Sequence, residues 1–182
     1  MVTIRLTSEE RRSVLSHAQA ASIGGVSRIR SSGEERTATL GADQVVGQLG
    51  EAALSKYLTG SIALYEATRA VRNATPAAGD QGGDLLGWNV DVKTSVMRRS
   101  KDPQTYRLLV RPAERTKGAV YILALVDSPE STAVILVGWL AEHDLPDRVH
   151  RGGIFEGTYA VPATLLHPLP PFQVVPNERT LP

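Results

Sequence analysis

The chain has 182 residues, 42% of them hydrophobic, and a net charge of only +1 at pH 7. That length and hydrophobic content favour one folded domain over a disordered chain. There is no cysteine, which excludes a disulfide scaffold and a thiolate zinc site and is typical of a reducing compartment. The N-terminus lacks a signal-peptide pattern, and the longest apolar runs reach about half the length of a membrane span. We therefore expect a cytoplasmic protein with no membrane partner.

The first part of the chain predicts a short strand followed by helices. Alternation over residues 2–6 favours a strand, and Thr7 and Glu10 have the spacing of a capping box at the start of a helix. A segment rich in Ser, Gly and Arg over residues 26–39 predicts a loop. Hydrophobic spacing predicts helices over residues 8–23 and 41–58, and a helix or an irregular stretch over residues 62–71.

The second part of the chain predicts mainly strands. After a glycine-rich run, a pair of short strands is expected around residues 84–93. Further strands are predicted over residues 106–110, 119–126 and 133–140. The last two are continuous apolar runs, which favours central strands covered on both faces. A short helix near residues 142–148 and a proline-rich tail from Pro168 along the surface complete a mixed α/β fold.

The stretch from Asp84 to Lys93 predicts a hairpin with an acidic face. Gly87 suits the first central position of a type II′ turn, with Trp88 as the second. In that register Asp84 lies opposite Asp91, and Lys93 projects from the same face. The residues on the other face would enter the core: Leu85, Val90 and Val92.

Two carboxylates opposed in a sheet repel each other, and one would tend to take up a proton. A divalent cation between Asp84 and Asp91 removes that conflict, since Mg²⁺ binds through one or two carboxylates together with water and phosphate oxygens. The ammonium of Lys93 can orient an attacking water and stabilise the transition state. Asp80 is a less regular alternative to Asp84 as a ligand.

Glu51 is the fourth candidate residue at this site. It lies just beside the apolar stripe of the second predicted helix. Gly47 and Gly50 interrupt that helix, where each costs about 1 kcal/mol relative to alanine. We expect both glycines to allow a close approach to another backbone, which brings Glu51 towards the metal. The alternative is a carboxylate that faces solvent.

Basic residues are concentrated between positions 98 and 117, where only Asp102 and Glu114 oppose them. They are Arg98, Arg99, Lys101, Arg107, Arg111, Arg115 and Lys117. This pattern indicates a surface that binds phosphates without sequence preference. An ordinary solvated surface is the alternative interpretation.

The order Glu51, Asp84, Asp91-Val92-Lys93 resembles the PD-(D/E)XK, or restriction-endonuclease-like, nuclease superfamily, in its small phage and bacterial type. There a helical Glu precedes an Asp at a strand start, and Asp/Glu-x-Lys follows on the next strand. The resemblance implies that Asp84, Asp91 and Glu51 bind metal, with the Val92 carbonyl as a further ligand. It also implies that Lys93 is the catalytic lysine.

The same resemblance implies a fold and a reaction. The fold is an α/β domain with a restriction-endonuclease-like core over residues 41–140, in which helices flank a mixed central β-sheet. Residues 1–40 and 141–182 would extend this core within one domain. The reaction is Mg²⁺-dependent hydrolysis of DNA, with Mn²⁺ as a substitute and endo- or exonuclease action open. A homodimer would suit duplex cleavage. The alternative function is a non-catalytic nucleic-acid-binding or assembly protein that retains the fold.

Overall fold

The computed structural model describes residues 1–24, 40–74, 83–98 and 100–169. The helices are α1 (Ser8–Gly24), α2 (Leu40–Thr59) and α3 (Ala63–Ala74). The strands are β1 (Val2–Arg5), β2 (Val90–Val96), β3 (Arg107–Val110), β4 (Val120–Val126), β5 (Ala133–Ala141) and β6 (Tyr159–Pro162). The predicted loop over residues 26–39 and the tail beyond residue 169 lie outside the described residues.

Four strands form a mixed sheet in the order β1-β5-β4-β2. The strand pairs β1–β5 and β4–β5 are antiparallel, whereas β2 runs parallel to β4. The prediction that β4 and β5 are central strands is therefore confirmed, and β2 lies at one edge. The strands β3 and β6 form a separate antiparallel pair.

The two faces of the sheet are covered by different layers. The helices cover one face, where Leu49 of α2 and Tyr65 of α3 are fully buried in the same cluster as Val92. The β3–β6 pair covers the other face, where Leu108 packs with Leu123 of β4. Burying a side chain of this size contributes about 1.5–3 kcal/mol. The predicted mixed α/β fold with a mixed sheet and flanking helices is confirmed, with the helices on one face.

The N-terminal helices follow the local signals closely. The predicted capping box is present, because the Glu10 carboxylate accepts the Thr7 N–H at 2.7 Å and the Thr7 hydroxyl accepts the Glu10 N–H at 3.1 Å. Glu10 also pairs with Lys56 at 2.7 Å, which joins α1 to α2. The segment over residues 62–71, where the sequence predicted either a helix or an irregular stretch, lies largely within the helix α3.

The second part of the chain agrees with the predictions only in part. The strand predicted over residues 106–110 is β3, and it lies in the connection from β2 to β4 together with the 3₁₀ turns Pro103–Thr105 and Pro112–Glu114. The helix expected near residues 142–148 is only the 3₁₀ turn Glu142–Asp144. The strand β6 was not predicted, because it is short and only Val161 within it is buried.

The predicted hairpin turn is wrong by one residue. Trp88 N–H donates to the Leu85 carbonyl at 3.0 Å, so Leu86 and Gly87 are the central residues. Gly87 has φ +77°, as the second central residue of a type II turn requires. The segment before the turn forms only an isolated bridge, Leu85 to Trp88, in place of the expected strand. Asp84 N–H donates to the Val90 carbonyl at 2.6 Å, so Asp84 is not paired with Asp91 across a ladder.

Close approach of helix α2 to strand β2 depends on one of the two glycines. A Cβ at Gly50 would lie 2.0 Å from the Thr94 hydroxyl and 3.0 Å from a methyl carbon of Val92. At Gly47 a Cβ would meet nothing within 4 Å. The predicted close approach is confirmed for Gly50 and wrong for Gly47.

We therefore expect Gly50→Ala to lower the free energy of unfolding by about 1–3 kcal/mol, because Thr94 and Val92 must move. Gly47→Ala is the matched control on the same helix. It is expected to raise the free energy of unfolding by up to about 1 kcal/mol through helix propensity. Urea denaturation followed by circular dichroism measures both values. Similar changes for the two variants would contradict the packing at Gly50.

Candidate functional site

Asp91 and Lys93 project from the face of β2 that is turned away from the helices. Val90 and Val92 pack into the helix-side core, as predicted. Asp91 is in register with Tyr121, whose ring lies in the core on the other side of the sheet. The Lys93 Nζ lies 2.8 Å from Asp91 Oδ2. The prediction that Asp91 and Lys93 project from the same face of the strand is confirmed.

Asp84 reaches the same region along the open edge of β2. Its Oδ2 accepts the backbone N–H of Val92 at 2.6 Å, so a side chain takes the place of a neighbouring strand. The N–H and C=O of one residue leave a strand on the same side. The Val92 carbonyl therefore faces the open edge together with the Asp84 carboxylate.

The glycine that precedes Asp84 is required by this arrangement. A Cβ at Gly83 would lie 2.1 Å from the Trp88 carbonyl oxygen. A larger residue cannot occupy this position while the Asp84 backbone is bonded to β2. This close approach explains why the residue before Asp84 is a glycine.

Glu51 lies on the helix side of the sheet and is only 7% exposed. Its carboxylate forms an ion pair and a hydrogen bond with Arg69 of α3. Burial and the nearby Asp84 raise the pKa of Glu51 to about 8, although Arg69 and Arg72 act in the opposite direction. The charge of Glu51 is therefore coupled to that of Asp84.

Asp91 has a raised pKa on the other side of the same edge. Burial is the largest cause, followed by the charge of Asp84, and together they raise the pKa of Asp91 to about 7 despite the ammonium of Lys93. Asp84 thus raises the pKa of both Glu51 and Asp91. It is the carboxylate through which the candidate residues on the two faces interact.

Glu114 joins the site although the sequence did not indicate it. Its Oε2 lies 3.0 Å from the Lys93 Nζ and accepts the Arg111 N–H at 3.2 Å. Burial lowers the pKa of Lys93, but Asp91 and Glu114 outweigh it and raise that pKa above its usual value. Lys93 is therefore a charged ammonium at neutral pH in the metal-free protein. The one sequence signal for Glu114 was its position as an acid within a basic segment.

Two arginines of α3 were also missed. Arg69 pairs with Glu51, and Arg72 lies 3.5 Å from Asp84 Oδ1. Neither position stands out from the helical pattern around it. The described site thus contains four carboxylates, each facing a cation: Glu51 with Arg69, Asp84 with Arg72, Asp91 with Lys93, and Glu114 with Lys93 and Arg111.

The basic segment is partly neutralised by acids. Three of its residues have carboxylate partners: Lys101 with Asp127 at 2.5 Å, Arg111 with Glu114 at 3.6 Å and Arg115 with Glu142 at 2.5 Å. Arg107 lies over the ring of Phe155, 5.6 Å from its centre. Arg98 and Lys117 are exposed and have no acidic partner in the part of the chain that the structure describes. Arg99 lies outside that part.

The donors at the edge of β2 match the chemistry of a hard cation. Asp84, Asp91 and the Val92 carbonyl supply only oxygen atoms, which Mg²⁺ prefers. Over residues 1–24, 40–74, 83–98 and 100–169, no group of three or more His, Cys, Asp or Glu is arranged to hold a metal ion. A site here would therefore use two carboxylates together with a carbonyl. Asp80, the alternative ligand, lies outside the described residues.

A scan against protein-family models, a search of curated proteins and a search of solved structures each found no match. The superfamily resemblance thus depends on the motif residues themselves. In the described part of the chain, no helix is both long enough and apolar enough to cross a membrane.

The raised pKa values of Asp91 and Glu51 predict how stability changes with pH in the metal-free protein. The folded state binds protons at these carboxyls more tightly than the unfolded state, whose carboxyls titrate near pH 4. Their contribution is fully present at low pH and is lost as the pH rises through about 7 and 8. We expect the free energy of unfolding to fall between pH 5 and pH 8.5.

Urea denaturation in EDTA at several pH values measures this dependence. Asp91→Asn removes one of the two titrating groups, so its stability should change less steeply around pH 7. Asp127→Asn is the control, since that carboxylate is 59% exposed and lies outside the cluster. Parallel curves for the wild type and Asp91→Asn would contradict the assignment.

Proposed function

We propose that this chain is a Mg²⁺-dependent nuclease that hydrolyses phosphodiester bonds in DNA, and that Mn²⁺ can substitute. One observation carries the proposal: Asp84 accepts the N–H of Val92 at the open edge of β2, and Asp91, the residue before Val92, lies 2.8 Å from the Lys93 ammonium. Two acids whose charges interact, one with a pKa near 7, are a favourable site for a divalent cation. A lysine ammonium beside them can stabilise the negative charge that develops on a phosphate during hydrolysis.

In this proposal each residue at the edge has a separate task. Asp84, Asp91 and the Val92 carbonyl would hold the cation, which supplies a Lewis acid for the phosphate and a more acidic bound water. Lys93 is a charged donor and not a base, so it orients the attacking water and stabilises the negative charge that develops on the phosphate. Asp91 and Glu114 hold the Lys93 ammonium in position.

Glu51 has a supporting role in this scheme. Its carboxylate is engaged by the Arg69 guanidinium, and both side chains are about nine-tenths buried. Withdrawing Glu51 towards a cation would leave the Arg69 charge buried without its partner, which is costly. We therefore assign metal binding to Asp84 and Asp91. Glu51 lies behind these two ligands and does not contact the cation itself.

The proposed substrate is consistent with the exposed cations of the basic segment. Arg98 and Lys117 are free of acidic partners among the described residues and can contact backbone phosphates. Such contacts are independent of base sequence. Strand number, nicks, flaps or junctions would then determine which DNA form is cleaved.

We expect Asp91→Asn and Lys93→Ala each to reduce DNA cleavage by at least about 100-fold, which is typical when a transition-state contact is removed. The measurement is a gel assay with single-stranded, duplex, nicked, flapped and four-way-junction DNA and with RNA, in Mg²⁺, Mn²⁺ or EDTA. Asp127→Asn is the control and should stay within about twofold of wild type, because an exposed ion pair contributes little. Full activity in purified Asp91→Asn or Lys93→Ala would refute the mechanism.

A second function is supported by the balance of charges at the site. Every carboxylate in the cluster already faces an arginine or a lysine. Such a network can be stable without a metal ion, as in a nucleic-acid-binding or assembly protein that retains the fold without turnover.

Isothermal titration calorimetry with MgCl₂ and MnCl₂ distinguishes the two functions. A nuclease should bind Mn²⁺ in the wild type, and Asp84→Asn should weaken that binding about tenfold or more because one of two carboxylate ligands is lost. Wild-type protein that binds DNA but takes up neither cation, and cleaves no DNA form, would instead establish the non-catalytic function.

A further inference from the structure

Helix α3 directs two arginines, three residues apart, at the acids of the site. Residues at this spacing lie on one side of a helix. Arg69 binds Glu51 of α2, whereas Arg72 donates to the Gly83 carbonyl at 2.6 Å and lies 3.5 Å from Asp84 Oδ1. One helix therefore contacts both the acid on α2 and the acid beside β2.

Asp84 is held from both sides by these contacts. On the strand side, its N–H donates to the Val90 carbonyl and its Oδ2 accepts the Val92 N–H, both at 2.6 Å. On the helix side, Arg72 donates to the carbonyl of Gly83, the residue before Asp84, and faces the other carboxylate oxygen of Asp84.

The position of α3 is itself fixed by buried polar contacts. The Thr68 hydroxyl accepts the Leu86 N–H at 2.8 Å, just after Asp84 in the chain. The Tyr65 hydroxyl donates to Gln48 Oε1 at 2.6 Å, inside the α2–α3 interface. Arg69, which pairs with Glu51, comes directly after Thr68 and three residues before Arg72, and the pair joins α3 to α2. Loss of the pair would therefore be transmitted along the helix to Arg72.

We propose that α3 is the element that positions the metal-binding carboxylate: Arg72 orients Asp84, and Glu51 acts indirectly by anchoring α3 through Arg69. This inference depends on the proposed function. It gives Glu51 a task other than the metal ligation that the superfamily resemblance implies. One nitrogen of Arg72, Nη2, makes both contacts, and the planar guanidinium holds it in a defined position, whereas a lysine ammonium ends a flexible four-carbon stem.

Arg72→Lys tests the orienting role while keeping the charge. In metal-free protein, hydrogen exchange at the Val92 N–H should become faster, because its acceptor on Asp84 is less well held. Calorimetry with MnCl₂ should show about tenfold weaker binding, as is typical when a residue behind a metal ligand is lost. Arg12→Lys on α1, whose side chain is exposed, is the control and should change neither value.

A pair of apolar substitutions tests the indirect role of Glu51. Glu51→Met or Arg69→Met alone leaves a buried charge without its partner. The double variant Glu51→Met/Arg69→Met removes both charges and keeps the contact between the helices apolar and packed. If Glu51 only anchors α3, the double variant should recover Mn²⁺ affinity to within about threefold of wild type. Affinity as weak as in Glu51→Met alone would show that Glu51 is a direct ligand and would overturn the inference.

The outcomes separate this inference from the proposed function. Unchanged Val92 exchange and unchanged Mn²⁺ affinity in Arg72→Lys, with wild-type cation binding intact, refute the positioning role alone. Failure of the wild-type protein to bind either Mn²⁺ or Mg²⁺ refutes the proposed nuclease and this inference together.

Discussion

The hydrogen bond from the Val92 N–H to the Asp84 carboxylate is the contact on which the candidate site depends. An edge strand leaves every second backbone N–H and C=O without a strand partner. Here the edge of β2 is used to fix a carboxylate, which brings the charge of Asp84 close enough to raise the pKa of Asp91. The bond also determines which carbonyl, that of Val92, faces the same space.

The position of β2 at the edge has a second consequence. Glu51 lies on the helix side of the sheet and Asp91 on the opposite side, and stacked layers are about 10 Å apart. If β2 were a central strand, the strands on both sides of it would leave no space for Asp84 between the two acids. At an edge, Asp84 can lie between the two faces, and it raises the pKa of both acids. The topology thus decides that residues from both layers can influence one site.

Burial of several carboxylates at this edge requires compensation. Removing a charged group from water costs several kcal/mol unless a partner of opposite charge is supplied. The partners come from three separate elements: Arg69 and Arg72 from α3, Lys93 from β2 and Arg111 from the turn after β3. The network therefore links α3, β2 and the connection to β4, so that substitution of one member alters the others.

The sequence alone determined those features that follow from local periodicity. Helices α1 and α2 and strands β4 and β5 lie within one or two residues of their predicted bounds, and the two-residue alternation of a strand put Asp91 and Lys93 on one face. Tertiary structure decided the rest. The turn moved by one residue because Gly87 suits either central position, and the recruitment of Glu114 and Arg72 depends on segments far apart in the sequence. Contacts of that kind have no local pattern, since only packing brings the segments together.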